Sequence, residues 1–137
     1  MSRKTIPNPG RLLVVDDNKV NRLLLGRDLE QQGHTVCFAE NGRQALEMMR
    51  SQPFDIILLD IQMPEMDGLE ATRQICTRWP GGDRPRIIAM TANAMQGDRE
   101  QCLEAGMDDY LSKPIRVKEL VTALVRSASI IEVDLED

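Results

Sequence analysis

At 137 residues, 42% hydrophobic and 28% charged, the chain can bury the core of one domain, and no apolar run nears the roughly 18 residues a membrane-spanning helix needs. A net charge of -5 argues against nucleic acid, and Phe38, Phe54, Trp79 and Tyr110, the only aromatics, are too few for a base-stacking platform. Cys37, Cys76 and Cys102 lie far apart without a CxxC pair, so neither a disulfide framework nor a zinc site is expected, only reduced thiols in or near the core.

The N-terminal stretch MSRKTIPNPG carries basic residues but no apolar segment behind them, so it does not read as a secretory signal. It is expected to be a tail or linker over 1–10, with the cytoplasm as the default compartment. Arg11 to Val15 (RLLVV) predicts a strand, closed by Asp16 and Asp17, after which Asn18 can cap a helix. Val20, Leu23, Leu24 and Leu29 recur at helical spacing up to a stop at Gly33. HTVCFA (34–39) predicts a second strand, with His34 as a solvated turn residue at its start. Asn41-Gly42 predicts a turn; Ala45, Leu46 and Met49 mark a second helix, which Pro53 ends.

Asp55 to Asp60 (DIILLD) is the most apolar strand. A third helix carries Leu69, Thr72, Ile75 and Cys76 on one stripe, residues 80–85 form a Pro/Gly loop, and RIIAMT (86–91) is a fourth strand. A helix from about Met95 to Ala105 with Gly106 as its stop, the strand DYLSK and a helix from Lys118 to about Ala128 complete five repeats, leaving 129–137 as an acidic tail. Strands one, three and four are continuously rather than alternately hydrophobic, as in a parallel sheet covered by helices on both faces. The pattern predicts a three-layer, doubly wound α/β domain over residues 11–128.

In such sheets ligands bind beyond the carboxyl ends of the strands. Asp16 and Asp17 end the first strand, Asp60 the third, Thr91 the fourth and Lys113 the fifth. Each alone reads as a cap, a turn residue or a solvated charge. Together, each at the same end of its strand, they point to a site. If strands one and three are neighbours, three carboxylates converge, and like charges at that range raise one another's pKa unless a cation is present. Oxygen ligands suit a hard divalent ion, and Mg²⁺ suits a site that also contacts phosphate.

The stretches VVDDN, LLDIQMPEMDG, MTAN and YLSKPI, at their spacings across roughly residues 11–127, resemble the receiver domains of two-component response regulators, above all those of hybrid sensor kinases and phosphorelays. The resemblance implies a flavodoxin-like strand order 2-1-3-4-5 with five helices. It implies that Asp60 accepts a phosphoryl group from a phosphohistidine on a histidine kinase or phosphotransfer domain. It also implies that Asp16, Asp17, Asp60 and the backbone carbonyl of Gln62 hold Mg²⁺, for which Mn²⁺ could substitute. Thr91 and Lys113 then meet the phosphoryl group, Lys113-Pro114 is a cis peptide, and Tyr110 belongs to the switch or is an ordinary strand aromatic. Gln62 and Asn93 tune hydrolysis, and as amides they imply slow dephosphorylation. Pro64 and Gly68 shape the loop after Asp60.

A phosphoryl group on Asp60 would draw in the loops carrying Thr91 and Lys113 and alter the face of the fourth helix, fifth strand and fifth helix, where a partner or a second copy could bind. The domain would then be a signalling switch that catalyses only its own phosphorylation and slow dephosphorylation. An aspartyl-phosphate phosphatase of the haloacid dehalogenase type needs a second Asp where Gln62 stands. A flavodoxin-type flavin site would need a phosphate cradle where Asp16 and Asp17 stand. Both are disfavoured. Met63, Met66, Met90, Met95 and Met107 lie on the same rim, with core filling as their expected role.

Overall fold

Along the inner strands successive side chains leave the sheet on opposite sides, and here both sides are apolar. The computed structural model describes residues 10–63, 66–79, 84–92 and 99–136. Within these, β1 (Arg11–Val15), β2 (Thr35–Ala39), β3 (Ile56–Asp60), β4 (Arg86–Thr91) and β5 (Asp109–Ser112) form one parallel sheet in the order β2-β1-β3-β4-β5. The helices are α1 (Lys19–Gln31), α2 (Gly42–Ser51), α3 (Gly68–Arg78), α4 (Arg99–Ala105) and α5 (Val117–Glu136). This is the predicted doubly wound order.

Leu12, Val14, Ile56, Leu58, Ile88 and Met90 face one side, where Leu25 and Leu29 of α1 and Leu120, Ala123 and Leu124 of α5 cover them. Leu13, Val15, Ile57, Leu59, Ile87 and Ala89 face the other side, beneath Ala45, Leu46 and Met49 of α2, Ala71 and Ile75 of α3 and Cys102 of α4. The alternation of facing within a continuous apolar run explains how strands of five or six residues with no polar face fill two cores. β3 is buried throughout, Asp60 included. Cys102 is buried and Cys37 and Cys76 half-buried, all as free thiols.

The predicted stops and caps have physical counterparts. Asn18 Oδ1 accepts from Asn21 N at 3.1 Å and opens α1, and Gly33 (φ 92°) and Gly106 (φ 111°) take the left-handed conformation that follows α1 and α4. Asn41, expected in a turn, caps α2 by accepting from Gln44 N at 2.9 Å. The start of α4 expected near Met95 lies outside the described residues, as do Asn93, Pro64 and most of the loop 80–85.

Three expectations are corrected. Val20, Leu23 and Leu24 are 61%, 60% and 55% exposed; the buried face of α1 is Leu25, Gly26 and Leu29. Packing selects that face at Gly26, where an added Cβ would come within 2.4 Å of the Phe38 ring on β2. His34 is buried rather than solvated, its Nδ1 accepting from Gly10 N at 3.0 Å, because β2 begins beside the chain that leads into β1. The last helix continues past Ala128 to Glu136. Among the described residues no helix is long and apolar enough to cross a membrane.

Candidate functional site

The strand register brings the site together. Val15 pairs with Leu59, Asp60 with Met90 and Thr91 with Ser112, so the residues that end these strands, or follow directly, lie side by side on the carboxyl edge. Neighbouring strands are about 4.8 Å apart, and side chains leaving adjacent ends reach one another. Asp16, Asp17 and Asp60 each place a carboxylate oxygen within 4.8 Å of the others. Lys113 Nζ lies 3.0 Å from Asp60 Oδ2 and 3.5 Å from Asp16 Oδ2.

Each group is held from its own backbone. Asn18 N donates to Asp16 Oδ1 at 2.9 Å, and Gln62 N donates to Asp60 Oδ1 at 3.0 Å. Lys113 N donates to Thr91 O at 2.7 Å, and the Lys113-Pro114 peptide is cis, as expected. Asp16, Asp60 and Thr91 are buried, whereas Asp17 and Gln62 are exposed. Gly68 opens α3 directly against the end of β3: its N donates to Ile61 O at 3.2 Å, and a Cβ there would meet Asp60 O at 2.4 Å. Tyr110 is half-buried and packs against the core under α2, α3 and α4.

Burial pushes the Asp60 carboxyl above its ordinary value near 3.8; the Gln62 N–H and Lys113 act against this, and the Asp16 charge adds to it. An all-carboxylate donor set, partly buried and only partly offset by Lys113, fits a hard divalent cation held through oxygen. The exposed Asp17 leaves the cluster open on one side.

A model of the response regulator receiver domain matches residues 12–125. The chain belongs to this family. The receiver is 42% identical over 115 residues to the aerobic respiration control sensor protein ArcB of Escherichia coli, covering 84% of this chain but 14% of that protein. It is 44% identical to the crystallised receiver domain of sensor histidine kinase PA1611 from Pseudomonas aeruginosa, which has magnesium in its active-site cleft (TM-score 0.77; 85% of this chain, 95% of that one). It is 30% identical to a Saccharomyces cerevisiae receiver, that of Ssk1, crystallised with the histidine phosphotransfer protein Ypd1 (TM-score 0.77; 86% and 87% covered). Membership in this family supports the signalling-switch reading over a haloacid dehalogenase phosphatase.

Asp16, Asp17, Asp60, Thr91 and Lys113 thus meet at one edge of the receiver. Among the described residues, Asn21 and Arg22 also touch the cluster, and neither was singled out in the sequence. Asn21 Nδ2 donates to Asp16 Oδ2 at 3.3 Å, and Arg22 Nη1 donates to Asp16 O at 2.7 Å. Their signal lay in position alone: five and six residues beyond Asp16, in the first turn of α1, their side chains can reach back to the strand end.

Proposed function

We propose that this receiver is a phosphorylation-activated switch in which Asp60 takes the phosphoryl group of a phosphohistidine borne by a histidine kinase or a phosphotransfer domain. The observation that carries the reading is the meeting of Asp60 with Asp16, Asp17 and Lys113 within a few ångströms at the carboxyl edge. An Asp60 carboxylate oxygen forms a bond to phosphorus as the phosphorus–nitrogen bond of the donor breaks, and the electron pair returns to the imidazole. Such transfers depend chiefly on positioning and charge neutralisation. Gln62 N and Lys113 Nζ fix the two Asp60 oxygens from different sides, so the carboxylate is oriented before a donor arrives.

Asp16, Asp17, Asp60 and the Gln62 carbonyl are the groups that would hold Mg²⁺, or Mn²⁺ in its place, and the bound ion supplies positive charge against the phosphoryl oxygens. Lys113, already between two carboxylates, can turn its ammonium to a phosphoryl oxygen, and the Thr91 hydroxyl can donate to another. Those shifts would alter the face of α4, β5 and α5, with Tyr110 on it, for a partner or a second copy of the chain. Gln62 and Asn93, both amides, would make hydrolysis of the acyl phosphate slow, the only reaction besides its own phosphorylation that the domain catalyses.

The chain corresponds to a small part of ArcB, so a place within, or in the service of, a hybrid kinase on the cytoplasmic side of a membrane is likewise part of this proposal. Incubation with Mg²⁺ and acetyl phosphate followed by intact-mass measurement tests it. The expected result is a gain of one phosphoryl group, lost in Asp60→Asn. No gain, or a gain that survives Asp60→Asn, overturns the assignment.

A further inference from the structure

Asp16 is closely held within the site. Its side chain is 1% exposed, and every oxygen it carries is engaged: Oδ1 by Asn18 N, Oδ2 by Asn21 Nδ2 and Lys113 Nζ, and the backbone oxygen by Arg22 Nη1. Two of these donors, Asn21 and Arg22, belong to no part of the phosphoryl chemistry.

We infer that Asn21 and Arg22 are positioning residues for the Asp16 and Asp17 carboxylates, with Asn21 aiming the Asp16 side chain and Arg22 fixing the peptide group from which Asp17 projects. The inference rests on the reading that this pair holds a divalent cation. Asn21 is itself fixed, since its N–H caps onto Asn18 Oδ1, and the Asn21 amide therefore meets Asp16 from an ordered helical turn. Lys113 holds the same Asp16 oxygen from the opposite element. When Lys113 turns toward a phosphoryl oxygen, the Asn21 amide is the donor that remains on Asp16 Oδ2.

Arg22 works on the backbone. The oxygen it binds is that of the Asp16–Asp17 peptide, so the 2.7 Å bond sets the plane of that peptide and with it the direction in which Asp17 leaves the chain. The same guanidinium lies 3.6 Å from Glu40 Oε1, and Glu40 is held in turn by Gln44, whose Oε1 accepts from Glu40 N at 2.9 Å. Arg22 therefore ties the end of β1 to the turn between β2 and α2, and Glu40 offsets its charge close to a cation site. A lysine keeps the charge but not the two-pronged geometry, so it serves one acceptor well and not both.

The competing role is purely structural, a clamp on the turn between β1 and α1. Magnesium affinity and stability separate the two roles. Asn21 lines a cavity of about 390 Å³ together with Asp16, Leu24 and Lys113, so truncating it removes a donor without forcing neighbours apart. Loss of a group that orients a metal ligand weakens binding about 10- to 100-fold.

The test is calorimetric titration of the full chain with MgCl₂ for the wild type, Asn21→Ala, Asn21→Ser and Arg22→Lys, with thermal melting of each in EDTA. The expected result is a Kd for Mg²⁺ raised about tenfold or more in Asn21→Ala and Arg22→Lys. Asn21→Ser, which keeps a donor, should recover part of that loss. Melting temperatures in EDTA should stay near the wild type, and Asp60 labelling by acetyl phosphate should return at raised Mg²⁺. An unchanged Kd overturns the inference, and so does a weakened Kd that merely follows a loss of melting temperature. If Asn21→Ala does not fold, Asn21→Ser and Arg22→Lys decide the question by the same criteria. A wild type that binds no Mg²⁺ removes the cation reading itself, whereas a wild type that binds while the variants match it overturns this inference alone.

Discussion

Lys113 Nζ lies 3.0 Å from Asp60 Oδ2, and the ammonium faces a carboxylate that is otherwise buried at the end of an apolar strand. Asp16 Oδ2 lies 3.5 Å from the same nitrogen, so two buried acids share one cation. Removing it in Lys113→Met leaves the two carboxylates facing each other without the ammonium between them, a loss of roughly 1–3 kcal/mol, moderated because Lys113 is 26% exposed. Mg²⁺ held by the same carboxylates would replace the missing charge. Thermal melts should therefore show Lys113→Met less stable than the wild type in EDTA and gaining more from added Mg²⁺. Equal gains in the two proteins would mean that Lys113 and the cation do not act on the same carboxylates.

Gly68 permits the approach of α3 to β3. An added Cβ would stand 2.4 Å from Asp60 O and 2.7 Å from Ile61 Cα, both backbone atoms that cannot swing away. Gly68→Ala must therefore shift the backbone that carries Asp60, at an overpacking cost of about 1–3 kcal/mol. Urea unfolding should show that loss, and acetyl phosphate should label the folded variant more slowly at saturating Mg²⁺. A variant with wild-type stability and labelling rate would show that the loop yields without moving Asp60.

These contacts also show how far the sequence speaks. β3 is legible because Ile56 to Asp60 is too continuously apolar to face water on either side, and a lone acid ending such a run can only sit at its rim. The same reasoning places Asp16, Thr91 and Lys113, since parallel topology turns the ends of separate runs into neighbours. α1 is harder, because Val20, Leu23, Leu24, Leu25 and Leu29 surround the helix with apolar side chains, and periodicity selects a face only when the others are polar. Its inward face depends on Gly26 meeting Phe38, a contact between an apparently featureless glycine and another strand. The Gly10 bond to His34 spans 24 residues and leaves no periodic trace.

Asp60 links function to pH-dependent stability. Burial raises its folded pKa above the ordinary 3.8, so in the window above that value the folded chain holds more proton than the unfolded one, and stability falls as pH rises through the raised value. Asp60→Asn removes the buried charge and should melt at a higher temperature than the wild type in EDTA at pH 7. The advantage should shrink as the pH falls toward the ordinary carboxylate range, where Asp60 is protonated in both states. A difference independent of pH would place its origin in packing rather than charge.

His34 carries the opposite slope. It is 7% exposed, its Nδ1 accepts from Gly10 N at 3.0 Å, and burial holds its pKa below the ordinary 6.5. The unfolded chain therefore takes up the proton first: the stabilisation is complete above 6.5 and is lost as pH falls through the depressed folded value, at up to about 1.4 kcal/mol per pH unit. Protonation also places a hydrogen where Gly10 N–H now donates, so the chain leading into β1 loses that anchor while Thr35 N still bonds Gly10 O at 3.0 Å. Asp60→Asn is the background in which to measure this, because the contrary slope of Asp60 is then absent. In that background stability should decline between pH 7 and pH 5, and the Gly10 amide should lose protection against hydrogen exchange beyond the global loss. His34→Gln, which keeps an acceptor but does not titrate, should flatten both trends. Persistence of the decline in His34→Gln would assign it to another group.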